Sequence, residues 1–85
     1  MRKVIFEQIA FEQYNDWAST NFKMFRKISR MILETTRNPF EGIGQPEPLK
    51  GKLQGFWSRR IDSEHRLVYY VTETEILIAS CKYHY

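Results

Sequence analysis

Hydrophobic residues recur with two different periods near the start of the chain. Residues 3–6, with the run Val4-Ile5-Phe6, are rich in β-branched and aromatic side chains and predict a short strand. From about residue 9 the apolar spacing changes to three and four residues, which predicts a short helix. Its apolar face is formed by Phe11, Tyr14, Trp17 and Ala18. The polar segment 19–21 then breaks this helix and offers an N-cap for the next one.

A second amphipathic helix is predicted over residues 22–36. Its apolar positions are Phe25, Ile28, Met31, Ile32 and Thr35, and its basic side carries Lys23, Arg26, Lys27 and Arg30. The basic side is either an RNA-contacting surface or a solvated helix face, and the solvated face is the more common case. Asn38-Pro39 ends the helix, because proline restricts the residue before it and supplies no amide. The long loop that follows, FEGIGQPEPLKGK, is the kind of loop that often carries function.

Three further strands are predicted over residues 56–61, 66–71 and 76–83. Short polar connections between them indicate antiparallel hairpins. The whole order predicts an α+β fold, a single domain over residues 1–85. In it, two helices from the N-terminal half pack on one face of a mainly antiparallel, four-stranded twisted sheet.

Alternation along these strands predicts which side chains share a face, because successive residues of a strand point to opposite sides. Odd positions are nearly all apolar and predict the face under the helices: Trp57, Ile61, Leu67, Tyr69, Val71, Leu77, Ala79, Cys81 and Tyr83, with Arg59 as the exception. Even positions predict an open face: Ser58, Arg60, Arg66, Val68, Tyr70, Ile76, Ile78, Ser80, Lys82 and His84. Several cations and a histidine therefore converge on the open face.

Composition narrows the class of protein only a little. The 85 residues carry 13 Lys+Arg against 10 Asp+Glu, a net charge of +3 that favours a polyanionic partner without identifying one. A single cysteine excludes an intramolecular disulfide and suits a reducing compartment. Glu7 interrupts the only N-terminal apolar run, and no stretch approaches the roughly 20 apolar residues that span a bilayer. We therefore expect a cytoplasmic protein with no membrane association.

The polar residues near the C-terminal half are the types needed to cleave RNA through its own 2′-hydroxyl. That reaction needs a base for the hydroxyl proton, a cation for the charge on the phosphorane, and an acid for the leaving oxygen. Glu47 is the best candidate for the carboxylate because Pro46 and Pro48 restrain it. Arginine suits the phosphorane and histidine the leaving oxygen.

Each of these residues also has a plain structural interpretation. Glu47 could be a solvated loop glutamate, His84 an exposed residue near the terminus, and Arg59 with Arg60 a surface pair. His65 is better explained as a hydrogen-bonding turn residue, and Cys81 as a small core residue. Two histidines and one cysteine do not have zinc-site spacing, and no Gly-rich phosphate loop is present. No metal or other cofactor is predicted.

The C-terminal half of the chain resembles a known family. The segments PEPLK, GFWSRRI, EHRLVY and the terminal KYHY, in a nearly continuous match from residue 38 to 85, are similar to those of the YoeB toxins. These toxins are a branch of the RelE/ParE toxin superfamily. The resemblance implies a RelE-like, microbial-ribonuclease-like α+β fold. It also implies an endoribonuclease that cleaves mRNA in the ribosomal A site and is held inactive by an antitoxin of the YefM type.

The resemblance also assigns roles to individual residues. It implies Glu47 as the general base, His84 as the general acid and Arg66 as the group that stabilises the transition state. Three further residues would assist: Arg60 and Lys50 at the phosphate, and Tyr85 in positioning the substrate. Arg59, adjacent to Arg60, is included as a phosphate-binding candidate. The partners so implied are the antitoxin, the ribosome and mRNA, and a homodimer is consistent with the family.

Two rival functions stay open at this point. A ParE-like poison of DNA gyrase could use the same fold without an acid–base pair, because a fold does not fix its function. A stand-alone RNA-binding module could stack bases on Trp57, Tyr69 or Tyr70, although alternation places only Tyr70 on the cationic face.

Overall fold

A computed structural model describes residues 1–84, and the role predicted for Tyr85 lies outside the described residues. The elements follow in the order β1 (Lys3–Phe6), α1 (Gln8–Thr20), α2 (Phe22–Arg37), β2 (Glu47–Pro48), β3 (Phe56–Arg60), β4 (Arg66–Val71) and β5 (Glu75–Ser80). A 3₁₀ turn, Gly51–Leu53, lies between β2 and β3. Among residues 1–84, neither helix is long and apolar enough to cross a membrane.

The five strands form one sheet in the order β1-β5-β4-β3-β2. β1 is parallel to β5, and all the other neighbours are antiparallel. The α+β class and the two helices are therefore confirmed, but the sheet has five strands where four were predicted. The additional strand, β2, consists only of Glu47 and Pro48, which is too short to show strand periodicity.

Helix α2 begins where the polar segment predicts. The side chain of Asn21 accepts a hydrogen bond from the Met24 amide at 3.1 Å, which satisfies one of the free amides of the first turn. The helix ends at Arg37, and the amide of Asn38 donates to the Glu34 carbonyl at 2.8 Å before Pro39. The helix thus runs one residue beyond the predicted end.

The hydrophobic core lies between the two helices and one face of the sheet. Its buried members are Ala10, Trp17, Ile28, Met31, Ile32, Ile61, Leu67, Tyr69, Ile76, Ile78 and Cys81. Cys81 is completely buried, as predicted, and this burial raises the pKa of its thiol to about 12.

The face assignment predicted for β5 is wrong because of a β-bulge. Val68 pairs with Ser80, but the next residue, Tyr69, pairs with Ile78, so one residue of β5 is skipped. Even positions of β5 therefore join odd positions of β4 on the covered face. Ile76 and Ile78 are fully buried in the core. Leu77, which was expected there, lies on the other side of the strand, and Ala79, also expected there, is the skipped residue and is only partly buried.

The last predicted strand is also too long. β5 ends at Ser80, and residues 81–83 form a bend. Lys82, predicted on the open face, instead contacts helix α1: its ammonium lies 2.8 Å from the Asp16 carboxylate and 5.3 Å from the Trp17 ring centroid. We call this segment, residues 81–84, the C-terminal tail.

Candidate active site

A small polar cleft opens on the face of the sheet opposite the helices. It has a volume of about 50 Å³ and is lined by Gly44, Gln45, Glu47, Ser58, Arg60 and Arg66. Strand register explains this convergence: Glu47 is directly opposite Ser58, and Arg60 is directly opposite Arg66. Because Ser58 and Arg60 are two residues apart on β3, all four side chains lie on one face. The alternation argument had placed Ser58 there but gave it no role.

Glu47 is held in the cleft by the short strand β2. The amide of Leu49 donates to the Phe56 carbonyl at 2.9 Å, and the Leu49 side chain is buried, which fixes the strand from its far end. On the near side, the amide of Arg60 donates to the Gly44 carbonyl at 2.6 Å. The predicted proline restraint on Glu47 is thus only part of what positions it, since β-sheet pairing adds to it.

Gly44 and Gln45, just before Glu47 in the chain, both have a positive φ. Gly44 has φ +81°, and a Cβ there would come within 2.8 Å of the Arg60 carbonyl oxygen. Gln45 follows with φ +53°, a left-handed conformation that non-glycine residues adopt uncommonly. The loop therefore turns sharply just before the residue that we expect to act as the base.

Arg66 is nearly buried, with 9% of its surface exposed, and it is held rigidly. Its Nη1 donates to the carbonyls of Asp62 at 2.8 Å and His65 at 3.1 Å. Asp62 in turn accepts the amides of Glu64 at 2.8 Å and His65 at 2.7 Å. Burial is the largest single influence and acts to raise the pKa of Asp62, but the two amide hydrogen bonds together with nearby positive charge hold the pKa below its ordinary value. The turn before β4 is thus a structured support for the guanidinium.

The C-terminal tail brings the backbone of Tyr83, the residue before His84, beside this same turn. The amide of Arg66 donates to the Tyr83 carbonyl at 3.0 Å, and the amide of Tyr83 donates to Nδ1 of His65 at 2.8 Å. His65 is therefore the hydrogen-bonding turn residue that the sequence predicts. His84 itself is exposed.

Arg59 has a different environment from the other predicted phosphate ligands. It is fully buried, and its guanidinium donates to a hydroxyl, a carboxylate and three carbonyls. The acceptors are Tyr69 Oη at 3.2 Å, Glu34 Oε1 at 2.6 Å, Ile43 O at 3.2 Å, Glu41 O at 3.0 Å and Asn38 O. This burial is not compatible with the phosphate contact predicted for Arg59. Its role is to hold the loop between α2 and β2 against the sheet.

Glu34 is the anionic partner of this arrangement. Its carboxylate accepts from Arg59 and, at 2.9 Å, from the Ile43 amide. The hydrogen bond from Arg59, with smaller contributions from the Ile43 amide and the guanidinium charge, lowers the pKa of Glu34 despite the opposing effect of burial. Sequence reasoning missed Glu34 because its partner lies 25 residues away along the chain.

Two other groups of predicted cations lie outside the cleft. Lys50 is exposed, two residues beyond β2, and does not line the cleft. On helix α2, Lys23, Lys27 and Arg30 border a separate groove of about 470 Å³. Lys27 also donates from Nζ to the Ile61 carbonyl, so part of the basic face has a structural contact.

The arrangement combines a carboxylate, two arginines and a nearby histidine-bearing tail. A carboxylate can accept a proton, and guanidinium groups can bind the oxygens of a phosphate that gains charge. Among residues 1–84, His, Cys, Asp and Glu form no group of three or more that could hold a metal ion. Fold and cleft together define a small α+β protein with a carboxylate and two guanidinium groups in one polar cleft.

Comparison with known proteins identifies the class of this protein. Residues 6–85 match the family model described as YoeB-like toxin of bacterial type II toxin-antitoxin system. Toxin YoeB of Escherichia coli K12 is 52% identical over 83 residues, 98% of this chain and 99% of that protein. The chain belongs to the YoeB-like toxin family.

Solved structures agree with this assignment. A YoeB dimer from Staphylococcus aureus is 48% identical with a TM-score of 0.91, covering 99% of this chain and 98% of that one. A YoeB-YefM complex from the same organism is 49% identical with a TM-score of 0.90, covering 100% and 99%. The predicted family and the fold are therefore both confirmed.

Proposed function

We propose that this toxin is a ribosome-dependent endoribonuclease that cleaves mRNA in the ribosomal A site and so inhibits translation. The observation that carries the proposal is the cleft in which Glu47, Arg60 and Arg66 meet on one face of the sheet. A carboxylate beside two arginines suits phosphodiester cleavage, because base and charge-stabilising groups then flank one phosphate.

In the proposed reaction, Glu47 removes the proton of the 2′-hydroxyl, which attacks the adjacent phosphorus. Arg66, anchored through Nη1, stabilises the charge that develops on the phosphorane oxygens, and Arg60 binds the same phosphate from the opposite strand. His84 protonates the 5′ oxygen as its bond to phosphorus breaks, leaving a 2′,3′-cyclic phosphate. Tyr85 positions the substrate, and Lys50 assists from the exposed edge. No metal takes part in these steps.

The proposed partners follow from the family. We propose that a YefM-type antitoxin binds and inhibits this chain, as one is present in the Staphylococcus aureus complex. A homodimer is also proposed, since a YoeB dimer is known from that organism. The site of action would be the cytoplasm, where the ribosome orients the mRNA in the cleft.

The proposal is tested by primer extension on a defined mRNA bound to programmed ribosomes. Wild-type protein should produce a discrete A-site cut, and Glu47→Gln, which keeps the size but cannot accept the proton, should cut about 10²–10⁴ times more slowly. Glu41→Gln is the matched control, because Glu41 is exposed on the same loop and contacts Arg59 through its backbone carbonyl, which the substitution leaves in place. Equal cleavage by wild type and Glu47→Gln would reject Glu47 as the base.

The gyrase alternative has its own result. If wild-type protein makes no cut on ribosomes but inhibits DNA supercoiling by gyrase, and His84→Ala does so equally, the ribonuclease proposal is wrong. The same fold would then act by binding alone.

A further inference from the structure

The residue before His84 is held at both of its backbone polar groups. The Tyr83 amide donates to Nδ1 of His65 at 2.8 Å, and the Tyr83 carbonyl accepts from the Arg66 amide at 3.0 Å. His65 and Arg66 are neighbours in the chain, so one short segment fixes Tyr83 on two sides. This segment also contains the arginine that lines the cleft.

Tyr83 has a conformation that needs such support. Its φ is +66°, in the left-handed region that residues with a side chain seldom occupy. A strained conformation of this kind persists only when the surrounding contacts determine it, and such residues concentrate at functional sites. Here the two hydrogen bonds supply the constraint, and the sharp turn sets the direction in which the chain continues to His84.

His65 is itself firmly placed. It is 7% exposed, and its ring meets the Trp17 ring edge-on with centroids 4.9 Å apart. Trp17 donates from its indole to the Cys81 carbonyl at 2.9 Å, and Gln13 accepts from the Cys81 amide at 2.7 Å. Helix α1 therefore holds the start of the C-terminal tail at Cys81. It also packs against the His65 imidazole, which in turn holds Tyr83.

We propose that His65 is a positioning residue for the toxin's active site: as a hydrogen-bond acceptor for the Tyr83 amide, it sets the tail so that His84 faces the cleft beside Arg66. This inference rests on the proposed ribonuclease function and adds a residue to it. His65 does not touch the substrate and transfers no proton. Nδ1 of His65 offers a lone pair at one fixed position, and the placement of His84, the proposed acid, depends on that position.

The test compares two substitutions that differ in the acceptor. His65→Leu retains apolar bulk against Trp17 but removes the acceptor. His65→Asn retains the acceptor, because the Asn amide oxygen is the same number of bonds from the backbone as Nδ1 of histidine. On programmed ribosomes we expect His65→Leu to cut about 10²-fold more slowly at saturating substrate, because a misplacement of about 1 Å costs about that much. His65→Asn should recover most of the rate.

A second variant removes the donor without touching His65. Cys81 allows a synthetic peptide of residues 81–85 to be joined to residues 1–80 by ligation at its thiol, giving the full chain. A version in which an ester replaces the amide between residues 82 and 83 lacks only the Tyr83 N–H. The all-amide ligated protein is the control, and the ester should show the same loss of rate as His65→Leu.

Hydrogen exchange of the Tyr83 amide gives a readout independent of cleavage. We expect protection in wild type and His65→Asn, and fast exchange in His65→Leu. Unchanged cleavage by both His65→Leu and the ester would overturn the positioning role while leaving the ribonuclease proposal intact. If the wild type makes no cut, the proposed function fails and the catalytic part of this inference fails with it. An unprotected Tyr83 amide in wild type would refute the contact itself.

Discussion

The structural role of Arg59 can be tested sharply, because the exposed Arg60 follows it directly on β3 and serves as a control. Arg59→Met keeps a long apolar side chain but removes the donors to Glu34, Tyr69 and three loop carbonyls. Loss of one partner of a buried ion pair costs about 3–5 kcal/mol, because the remaining groups stay unpaired away from water. Glu34 is 30% exposed and can be rehydrated in part, so we expect the lower end, about 3 kcal/mol.

That loss is large for a domain of this size. A chain of 85 residues has a total stability of about 4–13 kcal/mol, so the substitution removes a quarter or more of it. With a urea m-value of about 1.5 kcal/mol/M, the unfolding midpoint should fall by about 2 M. Urea titration followed by the fluorescence of Trp17 and Trp57 measures this directly.

Arg60→Met is the control, because the Arg60 side chain is exposed and lines the cleft. It should change the free energy of unfolding by no more than about 0.5 kcal/mol, yet lower the rate of mRNA cleavage. A change below about 1 kcal/mol for Arg59→Met would refute the structural role that we give it. Loss of stability in Arg60→Met equal to that in Arg59→Met would show that the two arginines do not differ as described.

Three further results are expected. Folding lowers the pKa of Glu34, so its stabilisation is complete above the unfolded-state pKa of about 4.5 and is lost as the pH falls through the lower folded value. Glu34→Gln should therefore flatten the acid limb of a curve of unfolding free energy against pH. Cys81, with a pKa raised to about 12, should resist iodoacetamide at pH 8 in the native protein and react in urea, and rapid native labelling would contradict its burial. Gly44→Ala should lower the free energy of unfolding by about 2 kcal/mol, because φ there is left-handed and the added Cβ would approach a carbonyl oxygen closely. Gly51→Ala should cost less, since Gly51 shares the positive φ but has no atom within 4 Å of the added Cβ. Equal losses measured in urea would rule out the close approach.

Residue patterns predicted the helices and the three C-terminal strands because each has a strong apolar period. The bulge opposite Val68 could not be predicted in this way, since alternation assumes an uninterrupted ladder, and one skipped residue exchanges the two faces of β5. Strand β2 has two residues, too few to show any period. Such features depend on contacts between distant parts of the chain.

For the candidate site, alternation correctly placed Ser58, Arg60 and Arg66 on one face, because β3 and β4 pair without irregularity. It could not distinguish a structural arginine from a phosphate-binding one, although Arg59 was already the exception on the covered face. Its acceptors come from α2 and from the loop after it, which the sequence alone does not bring together. A charged residue at an apolar position was the signal that could have indicated burial.

The topology also bears on the order in which the sheet can assemble during synthesis. β5, the last strand along the chain, lies between β1 and β4, and the first strand, β1, has β5 as its neighbour in the sheet. During synthesis β1 must therefore wait for a partner made some 70 residues later, and the tail beside the cleft comes later still. The sheet is therefore completed only after β5 has been made, because β1 and β4 both pair with that strand.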